Sequence, residues 1–139
     1  MAALRTLTKK QVVDLIHRTG SLRFVDLRGT DLSGVCFDGV DLTMAKLAEC
    51  NLAKSTFRQA NLENASLWRA DCSDSVFDGA NLESADLDFT NLHGCTFRGA
   101  TIRRAIFPHQ RVTQSAIEDS VRTGRPVHME RRYSDEDAL

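Results

Sequence analysis

Nine acids and amides stand where proton transfer or metal binding could be read into this chain: Asp26, Asp31, Asp41, Asn51, Asn61, Asp71, Asn81, Asp86 and Asn91. Carboxylates do acid–base work when their surroundings push their pKa values apart. These nine recur at multiples of five residues, and Asp or Asn at such intervals bonds the nearby backbone and stabilises turns. We therefore read them as structural. The four cysteines, Cys36, Cys50, Cys72 and Cys95, are separated by 14, 22 and 23 residues with no CxxC, which argues against zinc. Cys50 and Cys72 fall on one side in consecutive coils, so a disulfide between them stays open beside the preferred reading of reduced, buried thiols. His17, His93, His109 and His128 share no face with a cysteine and a carboxylate, so no nucleophile, base and orienter come together. No glycine-rich phosphate loop is present. We expect no catalytic site, no metal and no cofactor.

The elements that carry these residues follow from a pulse of five. From Val25 to Phe107 one large residue marks each beat: Leu27, Leu32, Phe37, Leu42, Leu47, Leu52, Phe57, Leu62, Leu67, Cys72, Phe77, Leu82, Leu87, Leu92, Phe97, Ile102 and Phe107. Two residues earlier sits something small, such as Ala45, Cys50, Ser55 or Ala60. Five matches neither the 3.6-residue period of a helix nor the period of two of a strand, so the chain must turn a corner at every unit. A slower rhythm sets the number of corners per coil. Phe37, Phe57, Phe77 and Phe97 lie 20 residues apart, which places four units in each coil and the phenylalanines in one column. The residues after them, Asp38, Arg58, Asp78 and Arg98, alternate in sign, and this register brings opposite charges together at about 4.8 Å.

Ala80-Asn81-Leu82-Glu83-Ser84 and Ala60-Asn61-Leu62-Glu63-Asn64 resemble the A(D/N)LXX unit of the pentapeptide repeat family. The resemblance implies an all-β fold, a right-handed quadrilateral parallel β-helix with the central residue and the preceding small residue pointing inward. About four coils are expected, with a short capping helix at each end. A family this diverse in function determines the fold far better than the task.

Three segments are expected. Residues 1–24 form a capping helix and lead-in, with Thr8 and Gln11 as a capping box, Val12, Val13, Leu15 and Ile16 as an apolar stripe and Gly20 as the stop. Arg5, Lys9 and Lys10 without an acid before Asp14 also fit an organelle presequence. Residues 25–107 form the β-helix. In 108–139, Pro108 ends the pulse, a short helix carries Val112, Ala116, Ile117 and Val121, and a polar, mobile tail follows from Arg125. Ser134 in that tail fits a kinase target. At 139 residues the chain suits one domain, and it holds neither a membrane-length apolar run nor a signal-peptide core. We expect a soluble intracellular protein, in the cytoplasm or alternatively in an organelle.

With no chemistry left over, the outward positions become the candidates. Trp68, Arg69 and Phe89 fall on successive coils of one face, with Met44 on the adjoining one, and aromatic residues beside arginine are enriched in protein contacts. Together with Ile117 and Val121 they form the expected partner-binding set. The expected function is a non-enzymatic interaction or scaffold protein that docks into a larger assembly or onto a copy of itself, with the tail on a partner or on its own β-helix. Nucleic acid and membrane insertion are not expected.

The alternative is the family's mimicry of duplex DNA, which protects DNA gyrase from inhibitors. Against it, residues 25–107 carry twelve acids and eight bases, a balance of only −4, and Arg58, Arg98, Arg103 and Arg104 interrupt any acidic stripe. Four coils also span only about 20 Å, some six base-pair steps.

Overall fold

The structure is a computed structural model that describes residues 6–108 and 111–129. From Ser21 onward the backbone winds so that each residue meets the one twenty positions later. The parallel bridges run from Ser21 with Asp41 to Asp86 with Ile106, all at that offset. Each unit ends in a turn closed by a backbone bond, as when Ala45 N–H donates to Leu42 C=O at 3.0 Å. The third residue of every such turn is left-handed. Six of these corners hold glycine, and eleven hold other residues, among them Phe24, Met44, Glu49, Arg69 and Phe89 at φ of 57–62°. That is the geometry of a type II turn, and it costs a bulky side chain more than it costs glycine.

Four corners per coil make four sides. Side 1 carries Leu22, Leu42, Leu62, Leu82 and Ile102; side 2 carries Leu27, Leu47, Leu67, Leu87 and Phe107. Side 3 carries Leu32, Leu52, Cys72 and Leu92, and side 4 carries Phe37, Phe57, Phe77 and Phe97. The phenylalanines are fully buried and stacked, with ring centroids 4.9, 4.8 and 5.1 Å apart and planes within 8° of parallel. Phe107 meets Phe97 edge-on at 5.9 Å.

The repeat begins one beat earlier than the pulse read from Val25. Ser21 already pairs with Asp41, and Leu22 is buried in the same core as Leu42. Gly20 is the reason the sequence hid this unit, for it is both the small residue of the first unit and the left-handed cap of the preceding helix. That helix, α1, spans Lys9–Thr19, starts at the reciprocal Thr8–Gln11 capping box and buries Val12 in the core cluster.

At the other end residues 125–129 are not the mobile tail that composition alone suggests, and they lie in one of the two expected positions, on the chain's own β-helix. Helix α2, Gln114–Thr123, runs from the Thr113 cap to left-handed Gly124 and buries Ile117 completely. Its end takes over bonds that a further coil would have accepted. Phe97 N–H donates to Ser120 Oγ at 3.1 Å, and Gly99 N–H donates to Val121 C=O at 2.9 Å. The chain then returns over side 3, where Gly94 N–H donates to Val127 C=O and Val127 N–H donates to Cys95 C=O. Val127 and Met129 are buried there, so Arg125–Met129 packs on its own chain, and pairing with an exposed edge supplies the order that composition alone does not. Ser134 lies outside the described residues.

Inside the corners a second ladder of side chains stitches the coils together. The hydroxyls of Ser55, Ser75 and Thr90 and the thiols of Cys50 and Cys95 each donate to a carbonyl 23 residues earlier, at 2.7–3.0 Å. Thr30 occupies the same position in the first coil, where no coil lies beneath it. Its buried Oγ1 has no partner among the described residues. An unsatisfied buried hydroxyl costs about 1–3 kcal/mol. Thr30→Val should therefore raise stability by about 1 kcal/mol, whereas Ser75→Val should lower it; equal effects in urea titrations would contradict this.

Candidate functional site

The ladder of acids and amides resolves into turn chemistry. All nine side chains accept a bond from the backbone N–H two residues on: Arg28, Ser33, Thr43, Ala53, Glu63, Ser73, Glu83, Asp88 and His93 donate in order at 2.9–3.2 Å. These bonds favour the charged form of three of the acids. Side-chain and backbone bonds from Arg28 take Asp26 from 3.8 down to about 2. The Ser33 N–H and hydroxyl lower Asp31, and the Thr43 hydroxyl and N–H lower Asp41.

Groups whose folded pKa is depressed stabilise the fold above their unfolded pKa, and that contribution is lost as pH falls through the folded value. Urea stability should thus be level at neutral pH and decline from the ordinary carboxylate value of 3.8 toward about 2. A midpoint that rises on acidification through that window would contradict the assignment.

All four cysteines are free thiols, including Cys50 and Cys72. Burial pushes the thiols of Cys50 and Cys72 up, and carries Cys95 to about 12. Such thiols are protonated hydrophobes with little nucleophilic character.

The surface is where this chain is uneven, and among the described residues the large exposed hydrophobics are confined to side 2 and its two bordering corners. Large hydrophobic residues stand exposed at Phe24 (59%), Met44 (47%), Phe89 (49%) and Ile106 (52%). Phe24 and Met44 occupy the corner where the chain enters side 2, Phe89 the corner where it leaves, and Ile106 the last rung of the side itself.

The sequence candidates Trp68, Arg69 and Phe89 do meet. The Arg69 guanidinium lies 4.7 Å from the Trp68 ring centroid and 5.9 Å from that of Phe89, and the two rings pack edge-on at 6.3 Å. A cation over an aromatic face is attracted by the ring quadrupole, which holds the three side chains as one raised ridge. Below the ridge the column reads Arg28, Ala48, Trp68, so the small Ala48 leaves a notch between two large neighbours. The notch has a volume of about 450 Å³ and is lined by Arg28, Lys46, Ala48, Ser66, Trp68 and Asp86. Arg28 is held at its rim by Asp26 at 2.7 Å.

Met44 stands at the opposite border of side 2, apart from the ridge. Ile117, named with the partner-binding residues from sequence, is fully buried in the chain's own core and so cannot meet a partner. Val121 is half-buried against that core, and its carbonyl is spent on Gly99. The apolar stripe of a helix says only that something covers it, and here the covering surface is the end of the β-helix. Sequence reasoning missed Ile106 and the Ala48 notch. Ile106 had a signal, because it stands where Asp, Asn, Ser or Thr is usual.

The alternating column of side 4 is formed as its charges require. Asp38 accepts from the Arg58 N–H at 2.8 Å and faces the Arg58 guanidinium at 3.5 Å, and Asp78 accepts from the Arg98 N–H at 3.1 Å. Among the described residues no helix is long and apolar enough to cross a membrane.

The coil geometry agrees with what known proteins show. A family model described as pentapeptide repeats matches in eight copies over residues 21–43, 42–71 and 70–107. Among solved structures, a pentapeptide repeat protein from Nostoc PCC 7120 is 28% identical with a TM-score of 0.68, over 77% of this chain and 91% of that one. A pentapeptide repeat protein of the Arabidopsis thaliana thylakoid lumen is 29% identical with a TM-score of 0.58, over 60% of this chain and 57% of the other. HetL of Nostoc sp. strain PCC 7120, a pentapeptide repeat protein involved in heterocyst differentiation regulation, is 32% identical with a TM-score of 0.57, over 58% and 38%. The match thus spans little more than half of the thylakoid protein and less than half of HetL. No curated protein matches. With a repeat model matched over more than half of its length, and a backbone that turns every five residues and restacks every twenty, the chain belongs to the pentapeptide repeat family.

Proposed function

We propose that this chain is a non-enzymatic docking protein: a right-handed β-helix of about four coils, closed by α1 below and by α2 with the returning segment 125–129 above, that presents side 2 to a protein partner. The observation that carries the reading is the gathering of Phe24, Met44, Phe89 and Ile106 at side 2 and its borders, beside Trp68 and Arg69. Clustered exposed apolar surface rimmed by charge marks contact sites, whereas hydrophobes scattered singly do not. Backbone strain supports it. Phe89 holds a left-handed corner at φ 58°, where a bulky side chain costs more than the glycine that fills six of the seventeen corners, and its ring nonetheless stands half-exposed. Five of the twelve acids of the β-helix, Asp26, Asp31, Asp41, Asp71 and Asp86, are engaged in turns, and duplex mimicry is disfavoured by the arginines set among the rest.

The test is affinity purification from the native source with mass spectrometry, comparing the wild type with Trp68→Ala combined with Phe89→Gly. The second change relieves the left-handed corner, so this variant should keep wild-type stability to within about 1 kcal/mol. We expect the proteins retained by the wild type to be lost from the folded variant. Retention of the same set by both would overturn the proposal.

A further inference from the structure

The Trp68 ridge and Ala48 notch of side 2, with the Glu49 and Arg69 corner beside them, are complementary under a two-fold rotation, and we infer that the partner they fit is a second copy of this chain, laid face to face and running antiparallel. This rests on the docking reading above and adds the identity of the occupant. Consider a two-fold axis lying in the interface along the rung direction, midway between the rungs of Leu47 and Leu67. Every residue then faces the one in its own column reflected about that axis. Trp68 comes to lie over the partner's Ala48, so the raised indole of each copy enters the notch of the other, and the two indoles stack at about the rung spacing of 4.8 Å. Phe89 comes to lie over the partner's Gly29, the corner of that column without a side chain.

The charges of the exit corner obey the same operation. Glu49 faces the partner's Arg69, and Arg69 faces the partner's Glu49. Within one chain these two are neighbours in their column yet form no ion pair, since Arg69 is turned over Trp68 and Phe89. Oppositely charged neighbours one coil apart can pair, as Asp38 and Arg58 do one residue after the beat on side 4. One like-charge meeting arises, between Asp26 and the partner's Asp86, and Arg28 already neutralises Asp26 at 2.7 Å. A parallel arrangement offers no such fit, because it sets Trp68 against Ser66 and takes Glu49 and the partner's Arg69 to opposite borders of the face. Side 2 is small. Four rungs of about 4.8 Å by about 13 Å of strand give on the order of 250 Å² per copy, well under the roughly 800 Å² of a standard interface. The association is therefore reversible and concentration-dependent.

Sedimentation equilibrium of the full chain up to about 1 mM tests this, with the reach set by the affinity scale of small interfaces. The wild type should dimerise within that range. Glu49→Arg alone and Arg69→Glu alone each place two like-charge pairs in the homodimer, and each should weaken it by at least about tenfold. An equimolar mixture of the two variants should form a heterodimer within about threefold of wild-type affinity, because both of its corner contacts are again opposite in sign. A wild type that stays monomeric throughout overturns the second copy, and if Trp68-dependent capture of another protein persists, the docking reading stands without it. A wild-type dimer indifferent to both substitutions, or a mixture that fails to associate, also overturns the inference.

Discussion

Replacing Phe77 by alanine should cost about 3–5 kcal/mol of folding free energy. The ring is fully buried between Phe57 at 4.8 Å and Phe97 at 5.1 Å, both planes nearly parallel to its own. Removing it takes away one whole layer of the column, and the coils above and below cannot close the gap without breaking the bonds that fix their spacing. Phe57 N–H donates to Val76 C=O at 2.7 Å, and Phe77 N–H donates to Thr96 C=O at 2.8 Å, so the backbone on both sides is held while the cavity forms. Urea denaturation of the wild type and variant measures the difference. A loss below about 1 kcal/mol would mean that the column relaxes freely and that the stacked register is not what holds the coil.

The second large effect lies at the upper end of the tube. Ile117→Ala should cost about 2–5 kcal/mol, because the side chain is fully buried against the β-helix and its loss loosens the helix that receives the N–H groups of Phe97 and Gly99. Amide hydrogen exchange at Phe97 and Gly99 should accelerate in the same variant, while exchange at Phe57 stays slow unless the whole chain opens. Docking through side 2 should be unaffected at temperatures where the variant is folded. Unchanged stability with impaired docking would return Ile117 to the role of a partner-binding residue.

The contrast between Phe77 and Ile117 shows what a single chain of letters can reveal. A five-residue pulse that recurs in register at twenty leaves one way to stack, so the phenylalanine column, the alternation of Asp38, Arg58, Asp78 and Arg98, and the meeting of Trp68 with Phe89 were all legible. Each depends only on counting along the chain. The ends were not legible, because their partners are set by which backbone bonds the last coil leaves open. Val127 lies 32 residues from Cys95, at no multiple of the pulse, and nothing in Arg125-Pro126-Val127 foretells that it pairs there. Gly20 misled for a related reason, serving a helix and a coil at once. The notch at Ala48 went unnoticed since an alanine facing outward is unremarkable until the residues twenty before and after it, Arg28 and Trp68, are seen to tower over it.

If side 2 is the surface through which this protein docks, one cross-linking measurement reads it directly. A photoreactive benzoyl-phenylalanine is introduced in place of Phe89, or in place of Lys54 at the equivalent corner after side 3, and the protein is irradiated in its native cells. The account predicts a discrete covalent adduct from position 89 and none from position 54. Adducts of equal yield from both, or none from position 89, would contradict it.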